Sequence, residues 1–228
     1  MLDVISRLAE APPLADSRLL DVGSAHGWFL DAARGRGAQA EGIEPDPELH
    51  AFSVARGLPV TEGFFPDDLP SPGGSGGYDW IVFNDVLEHV PDPRAVLRAS
   101  AERLAAGGIL VVNGPSRRGF FFRMARLFHR LGYRAPLDRM WQRGLPSPHL
   151  SYFEPATLQA MARSEGLTEI HRFPLPSLSR DGLRERLAYA GSIPGPIRFV
   201  MWLALWVASP MIAILPRDIQ VQVFRRTD

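Results

Sequence analysis

The segment LLDVGSAHGWFL, residues 19–30, joins a buried apolar strand to a glycine-containing turn and then to a helix. Gly23 and Gly27 lie four residues apart, and Asp21 precedes them in the strand. The turn after the first strand of an α/β sheet lies at the carboxyl edge, where such folds bind ligands. Glycine tolerates a positive φ and lets a ligand approach the backbone closely. The segment therefore predicts a ligand-binding corner, in which Asp21 holds the turn through its backbone amides.

Strand-like and helix-like segments alternate through the first half of the chain, which favours a parallel sheet covered by helices on both faces. The patterns predict strands at 18–22, 38–44, 58–63, 78–84 and 109–113, and helices at 27–35, 46–57 and 92–108. Beyond them we predict an Arg-rich insert at 115–150, a helix at 154–165, a strand near 167–173, helical structure over 180–216 and a closing strand at 218–226. The glycine-rich segment 71–77 is interpreted as a flexible connector.

Composition excludes several classes of chemistry. The chain has 228 residues, of which 46% are hydrophobic, and its formal net charge is zero. It therefore has enough apolar residues for a sizeable core, and its charge gives no indication of nucleic-acid binding. It contains neither cysteine nor lysine, which excludes disulfides, thiolate metal sites, Schiff bases and the P-loop lysine. The first ten residues lack the apolar run of a signal peptide, so we expect a cytoplasmic protein.

The spacing Asp-x-Gly-x-x-x-Gly over 21–27 resembles the first motif of class I S-adenosylmethionine-dependent methyltransferases. FNDVLEHVPDP (83–93), LAAGGILVVNGP (104–115) and HLSYFEPATLQAMARSEGL (149–167) are similar to consecutive segments of the same superfamily. The similarity is greatest to the branch with the ubiquinone-biosynthesis O-methyltransferases and related small-molecule enzymes. Ala25 departs from this pattern, because a glycine is usual there, and no acidic residue directly follows Gly63.

The resemblance implies a Rossmann-like α/β fold, with a seven-stranded mixed sheet whose last strand is antiparallel, and a helical lid. We expect one methyltransferase domain over 1–228. Its parts are a cofactor-binding half at 1–114, lid or substrate insertions at 115–150 and 180–216, and the rest of the sheet at 151–179 and 217–228.

The resemblance also implies that S-adenosyl-L-methionine binds at the carboxyl edge of the sheet. Glu44 ends the second strand, where a carboxylate accepts hydrogen bonds from a ribose diol. The alternative is that Glu44 only caps the next helix. A nicotinamide cofactor is a weaker candidate, because its fingerprint needs glycine where Ala25 and Trp28 stand. The expected cofactor-binding residues are Asp21, Gly23, Ser24, Gly27, Glu44, Phe64, Phe65, Asn84 and Asp85.

Methyl transfer requires alignment of the attacking atom, and an alcohol or phenol also benefits from a base. Asn84 and Asp85 end the fourth strand, beside the expected methionine portion of the cofactor. The resembled branch places a histidine near the substrate at the position of His149. We therefore expect His149 and Asp85 to be catalytic, with His149 removing the proton. A purely structural His149 is the alternative.

Asp85, Glu88 and His89 have the spacing of one helical face and the oxygen and nitrogen donors that suit Mg²⁺ or Zn²⁺. The resemblance to the ubiquinone enzymes implies such a divalent metal, which would orient a catechol-like substrate. We favour the other interpretation, in which no metal binds and Glu88 and His89 are loop and cap residues, because helical spacing alone is not specific.

Two apolar segments lie near the expected substrate entrance. RRGFFFRMARLFHRL (117–131) predicts an amphipathic helix, and residues 117–150 contain eight arginines but a single acidic residue, Asp138. This helix would lie on an anionic membrane, pack as a lid, or bind an acidic group of the substrate. FVMWLALWVASPMIAIL (199–215) has no charge, but Ser209–Pro210 interrupts it and the closing strand must return to the sheet. We therefore expect no membrane span there.

The function that this sequence predicts is methyl transfer to a hydroxyl of a small or lipid-linked acceptor. The protein would be cytoplasmic, with peripheral attachment to the inner face of the membrane as an additional interpretation. The alternatives are a non-catalytic S-adenosylmethionine-binding protein and methyl transfer to nitrogen or carbon. The sequence gives no indication of the oligomeric state.

Overall fold

The structure is a computed structural model that describes residues 1–69, 76–176, 183–189 and 194–227. Seven strands form one sheet in the order β3-β2-β1-β4-β5-β7-β6. The strands are β1 Arg18–Val22, β2 Gln39–Glu44, β3 Val60–Glu62, β4 Tyr78–Asn84, β5 Leu104–Pro115, β6 Leu167–Leu175 and β7 Ile219–Arg226. Strands β1 to β5 pair in parallel, whereas β7 lies between β5 and β6 and is antiparallel to both. The predicted mixed sheet with an antiparallel last strand is confirmed.

The helices follow the strands as the alternation predicts. Their bounds are α1 Leu2–Ile5, α2 Trp28–Arg34, α3 Pro47–Ala55, α4 Pro93–Arg103, α5 Phe120–Arg130, α6 Ala135–Met140, α7 Pro155–Ser164, α8 Leu183–Tyr189 and α9 Gly195–Ala213. A short 3₁₀ turn covers Leu87–His89. The side chain of Asp46 accepts hydrogen bonds from two amides in the first turn of α3, and that of Asp92 accepts one from the Ala95 amide of α4. Each cap precedes a proline at the first helical position, which fixes where the helix begins.

The core has two layers, one on each face of the sheet, because successive strand residues point to opposite faces. Leu20, Ile81, Phe83 and Leu110 belong to one buried cluster. Their neighbours Leu19, Trp80, Val82, Ile109 and Val111 belong to the other. Both faces are therefore apolar, as expected for a largely parallel sheet covered by helices on its two sides.

Helix α4 is shorter than the helix predicted over 92–108, and strand β5 is longer than the strand predicted over 109–113. Helix α4 ends at Arg103, and Leu104 already pairs with Tyr78 of β4. A Cβ at Gly77 would lie 2.5 Å from the Ala105 nitrogen, so glycine lets the two backbones approach at this point. The pairing with β4 therefore overrides the helix propensity of Leu104–Ala106.

Parts of two predicted segments lie outside the described residues. Residues 71–75 of the predicted connector belong to the undescribed range 70–75. Within the predicted helical segment 180–216, residues 180–182 and 190–193 are also undescribed, and the described parts contain α8 and α9.

Candidate active site

A cavity of about 660 Å³ opens at the carboxyl ends of β1, β2 and β4. Its walls come from the turn after β1, the end of β2, the segment after β3 and the insert at 115–150. Five of the expected cofactor-binding residues line it, namely Gly23, Glu44, Phe64, Phe65 and Asp85. The cavity therefore lies at the edge of the sheet where the sequence predicts a ligand.

The turn after β1 has three residues with left-handed backbone conformations. They are Gly23 at φ 68°, Ala25 at φ 48° and Gly27 at φ 71°. A Cβ at Gly23 would lie 2.6 Å from Val86, which lines the cavity, so a side chain here would crowd the cavity wall. A Cβ at Gly27 would instead lie 2.4 Å from Leu58 Cδ1, away from the cavity lining. Gly27 is therefore required by helix packing, whereas Gly23 shapes the binding cavity.

Glu44 connects this turn to the next helix. The residue is 5% exposed, and its Oε2 accepts a hydrogen bond from the Ala25 amide at 2.7 Å. Its Oε1 accepts one from the Asp46 amide at 2.9 Å. The helix cap itself is Asp46, so the alternative of Glu44 as the cap of α3 is wrong. Because each carboxylate oxygen has a second lone pair, Glu44 retains acceptor capacity towards the cavity.

Two other expected residues, Asp21 and Ser24, are buried and do not line the cavity. Asp21 is 1% exposed, and its Oδ2 has no hydrogen-bond partner among the residues that the structure describes. Burial, with a smaller effect of the Glu44 carboxylate, raises the pKa of Asp21 to about 8. The hydrogen bonds that we expect from the turn amides to Asp21 do not occur among the described residues. Ser24 is also buried, and its Oγ has no hydrogen-bond partner in the described part of the chain.

Asn84 and Asp85 end β4, but only Asp85 lines the cavity. The Asn84 Oδ1 accepts a hydrogen bond of 2.5 Å from the side-chain amide of Asn113 on β5. Asp85 has φ 57°, and its amide donates to the Asn113 carbonyl at 2.9 Å. The protein around Asp85 removes water from its carboxylate and raises its pKa, although nearby His89 acts in the opposite direction.

Aromatic side chains form the apolar wall of the cavity. Phe65 packs edge-on against Phe83, with ring centroids 5.6 Å apart. Phe64 is 66% exposed, and its amide donates to the Asp68 carboxylate at 2.8 Å. Asp67, in the same segment, also lines the cavity. These residues give one end of the cavity two flat apolar faces and a carboxylate, which suits a purine base.

A second cavity, of about 420 Å³, lies beside the first. His149 lines the second cavity, and Gln142 lines both. Gln142 has φ 50°, an uncommon conformation for a residue other than glycine. The remaining lining residues of the second cavity are Pro115, Ser116, Phe121, Arg139, Met140, Leu145, Tyr152, Asp218 and Ile219.

The hydrogen bonds of His149 define its tautomer. The Tyr152 hydroxyl donates to the Met140 carbonyl at 2.7 Å, so its oxygen accepts from Nδ1–H of His149 at 3.1 Å. The Nε2 atom then carries the lone pair and accepts from the Gln142 side-chain amide at 2.9 Å. Burial, and to a smaller extent His89, lowers the pKa of His149. A neutral imidazole with an unprotonated Nε2 is suited to accept a proton once the Gln142 hydrogen bond is released.

The predicted metal set differs from the group that the structure brings together. Glu88, His89 and His149 each place one donor atom within 4.8 Å of the others, and Asp85 is not in this group. Residues 87–89 form a 3₁₀ turn rather than an α-helix, so the helical spacing that groups Asp85 with Glu88 and His89 does not apply. Burial raises the pKa of Glu88 to about 8, and both His149 nitrogens already have hydrogen-bond partners.

Residues 1–172 match a family described as "Methyltransferase domain". The chain belongs to this S-adenosylmethionine-dependent methyltransferase family. It is 32% identical over 161 residues to a ubiquinone biosynthesis O-methyltransferase of Xanthomonas euvesicatoria pv. vesicatoria. That match covers 68% of this chain and 64% of the relative, so the chain spans just under two thirds of the relative's length.

Solved structures of methyltransferases show the same fold. An S-adenosylmethionine-dependent methyltransferase from Mesorhizobium loti has a TM-score of 0.62 at 14% identity, covering 96% of this chain and 94% of that chain. A putative sarcosine dimethylglycine methyltransferase from Galdieria sulphuraria has a TM-score of 0.60 at 17% identity, covering 94% and 80%. At these identities the likeness establishes the Rossmann-like architecture of this chain alone.

Sequence patterns missed two residues of this candidate site. Gln142 lies in the insert, outside every segment that resembles the superfamily, and no local pattern indicates its role. Tyr152 lies three residues after His149 within HLSYFEP, and this spacing is the one signal that could have identified it. Both residues contact the ring nitrogens of His149.

Proposed function

We propose that this protein transfers the methyl group of S-adenosyl-L-methionine to a hydroxyl of a small or lipophilic acceptor. The observation that carries the proposal is the position of the His149–Gln142 pair where two cavities adjoin. The larger cavity fits the cofactor, and the smaller one fits the acceptor. The family membership of the chain supports the transferred group.

The cofactor would lie along the carboxyl edge of the sheet. Glu44 would accept hydrogen bonds from the ribose, and Phe64 and Phe65 would contact the adenine. Gly23 keeps the backbone at the cavity free of a side chain. Asp85 would lie beside the methionine portion, where a carboxylate can interact with a cationic amino group. Asp21 and Ser24 are buried in the same corner, and each has an oxygen without a hydrogen-bond partner among the described residues.

The cofactor supplies an electrophilic methyl group on a sulfonium centre. His149 would accept the proton of the acceptor hydroxyl at Nε2, while Tyr152 holds the Nδ1–H side of the ring. Gln142 would release Nε2 when the acceptor enters, because it contacts both cavities. The bound cofactor would supply its methyl group to the acceptor oxygen, with the carbon–sulfur bond broken as the carbon–oxygen bond forms. S-Adenosylhomocysteine and the methylated acceptor are the products.

The lining of the smaller cavity supports a largely apolar acceptor. Phe121, Leu145 and Ile219 supply apolar surface, and Arg139 is a cation that could pair with an acidic substituent. The name of the Xanthomonas relative supports a hydroxyl acceptor. No metal is needed for this chemistry, because His149 supplies the base.

Two alternatives are distinguished by one pair of measurements. A non-catalytic binder would bind S-adenosylhomocysteine in calorimetry but give no acceptor-dependent product with a panel of phenols and catechols. A nitrogen or carbon methyltransferase would turn over amine or enol acceptors in preference to phenols. We expect binding of S-adenosylhomocysteine, no binding of NAD(H), and turnover of hydroxyl acceptors.

The variant His149→Gln tests the base directly. It should reduce turnover by roughly 10²–10⁴-fold, the range for loss of a general base. Its affinity for S-adenosylhomocysteine should stay unchanged, because His149 does not line the larger cavity. Retained turnover would contradict the assignment.

A further inference from the structure

Helix α9 exposes an apolar surface that the methyltransferase site does not use. Its segment Gly195–Ile212 has a mean hydropathy of 1.4, and 6% of its residues are buried. Within the described part of the chain it is the one helix long and apolar enough to cross a membrane. A core helix of a soluble protein would be mostly buried, and a signal sequence would lie near the N-terminus. Neither description fits this helix.

Six exposed apolar residues of α9 form a continuous stripe, and Phe199, Met201 and Trp206 are exposed outside it. The spacing of three or four residues within the stripe places its six members on one side of a helix, over an arc of about 120° at 3.6 residues per turn. The stripe extends from residue 197 to residue 214, about 26 Å at 1.5 Å per residue. It consists of Ile197, Val200, Leu203, Val207, Met211 and Ile214, which are between 44% and 84% exposed.

The opposite side of α9 packs on the protein. Trp202 and Leu205 are half-buried and Ser209 is buried, at the same helical spacing. Arg184 of α8 stacks over the Trp202 ring at 4.5 Å from its centroid. The helix is therefore apolar on both sides, with one side against the protein and the other outward. A helix that is apolar all round is normally in contact with protein or lipid on every side.

The sheet topology decides how α9 can meet a membrane. Leu175 at the end of β6 pairs with Ile219 at the start of β7. The chain between these two residues therefore leaves the sheet and returns to it at the same edge. If α9 crossed a bilayer, segment 176–194 would have to cross it as well. That segment contains Arg180, Asp181, Arg184, Glu185 and Arg186, and charged residues are costly inside a bilayer. If α9 meets a bilayer, it must therefore lie along the bilayer surface.

The charges beside this stripe complement an anionic surface. Residues 187–217 contain two arginines, Arg198 and Arg217, and no acidic residue. The chain after α9 is joined to the start of α5, where the Phe120 amide donates to the Pro216 carbonyl at 3.1 Å. Helix α5 carries Arg123, Arg126 and Arg130, which are all exposed. Juxtaposed basic and apolar surface is the pattern of helices that bind anionic lipid.

We propose that α9 lies in the plane of an anionic lipid bilayer, with its exposed stripe at the boundary of the acyl chains. The arginines of α5 and those flanking α9 contact the headgroups. This peripheral attachment is independent of methyl transfer, and it would bring the smaller cavity near lipophilic acceptors. The stripe is an apolar surface about 26 Å long that water covers in the unbound protein. Removing this surface from water is the physical reason for binding.

Vesicle flotation tests the proposal on the full chain. We expect the protein to float with vesicles of phosphatidylcholine and phosphatidylglycerol at low salt, and less with phosphatidylcholine alone or at high salt. The variant Val200→Glu/Val207→Glu should lose at least tenfold in vesicle affinity. The control Val4→Glu/Val54→Glu changes two exposed valines outside α9 and should bind vesicles like the wild type.

Affinity for S-adenosylhomocysteine, measured on the same three proteins, should be equal. This readout separates failure of the membrane proposal from failure of the proposed methyl transfer. Absence of flotation of the wild type, or equal flotation of the α9 variant, would overturn the proposal. A wild-type dimer that the α9 variant converts to a monomer, without vesicle binding, would instead assign the stripe to contact between two copies.

Labelling tests the in-plane orientation. Because the chain has no cysteine, Pro194→Cys and Pro216→Cys each introduce a single thiol near one end of α9. A membrane-impermeant maleimide added outside sealed vesicles should label both variants. Protection of one end alone would mean that the helix crosses the bilayer, and it would overturn the in-plane arrangement.

Discussion

The Glu44 carboxylate holds the backbone of Ala25, with Oε2 2.7 Å from the amide nitrogen. Ala25 adopts φ 48° at this point, in the region that glycine occupies most easily. Ser53 of α3 donates to the Ala25 carbonyl at 2.9 Å, so both polar groups of this residue are bound. The corner that follows β1 is therefore fixed by tertiary contacts in place of the glycine that the superfamily motif normally has.

The variant Ala25→Gly should stabilise the protein. Removing the Cβ relieves the left-handed strain, which costs about 1 kcal/mol. We expect the melting temperature to rise by roughly 2–4 °C, the shift for 1 kcal/mol in a chain of this size. Differential scanning calorimetry would measure it.

The matched control is Ala32→Gly, on the exposed side of α2. There the backbone is helical, so glycine should destabilise by about 1 kcal/mol. If both variants lowered the melting temperature equally, the strain at Ala25 would be absent.

The sequence predicts most of the sheet because its signals are local. Apolar runs such as YDWIVFN mark buried strands, and Asp46–Pro47 and Asp92–Pro93 mark where two helices begin. The end of α4 could not be predicted, since the pairing of Leu104 with Tyr78 depends on a strand 26 residues earlier.

The sequence could predict only those site residues whose position is set by a single strand or helix. Gly23 and Glu44 each follow from the end of a single strand. The partnership of Gln142 with His149 depends on how the insert folds back, and no periodicity indicates that. The grouping of His149 with Glu88 and His89 likewise joins segments about 60 residues apart in sequence.

The buried Asp21 makes stability depend on pH. Its folded pKa of about 8 lies above its ordinary value of 3.8, so the folded state binds the extra proton. This contribution is fully present below about pH 4 and is lost as pH rises through 8. In Asp21→Asn, the free energy of unfolding should fall less steeply with pH between 5 and 8. One bound proton corresponds to about 1.4 kcal/mol per pH unit.

Urea titrations at several pH values would measure this slope. Glu88 keeps its own raised pKa in the variant and has the same sign, so part of the slope should remain. Superimposable profiles for the wild type and Asp21→Asn would mean that Asp21 is ionised in the folded protein.

The pH profile of turnover should report His149. Because burial and His89 lower its pKa, kcat/KM should rise with pH along a limb whose midpoint lies below the ordinary value of 6.5. In His89→Gln, the electrostatic effect of His89 is removed and the pKa of His149 should rise. The midpoint should therefore move to higher pH, although burial still limits the shift. A midpoint that moves to lower pH would contradict the geometry.

Chelation should leave turnover unchanged. If His149 accepts the proton at Nε2, its lone pair is not available to a metal ion. Treatment with EDTA followed by gel filtration should preserve kcat, and added Mg²⁺ or Zn²⁺ should not raise it. Loss of activity on chelation and recovery with one cation would instead assign Glu88, His89 and His149 to a metal site.

The central claim is that the β1 corner and Glu44 together bind the adenosyl cofactor, and calorimetry with S-adenosylhomocysteine tests it most directly. Glu44→Ala should weaken binding by about 1–3 kcal/mol, the loss expected for hydrogen bonds to a charged group. Glu41→Ala, on the same strand, removes a carboxylate that accepts from the Tyr78 hydroxyl at 2.6 Å and does not line the larger cavity. We expect wild-type affinity for Glu41→Ala and weakened affinity for Glu44→Ala, whereas equal affinities in all three proteins would contradict cofactor binding by Glu44.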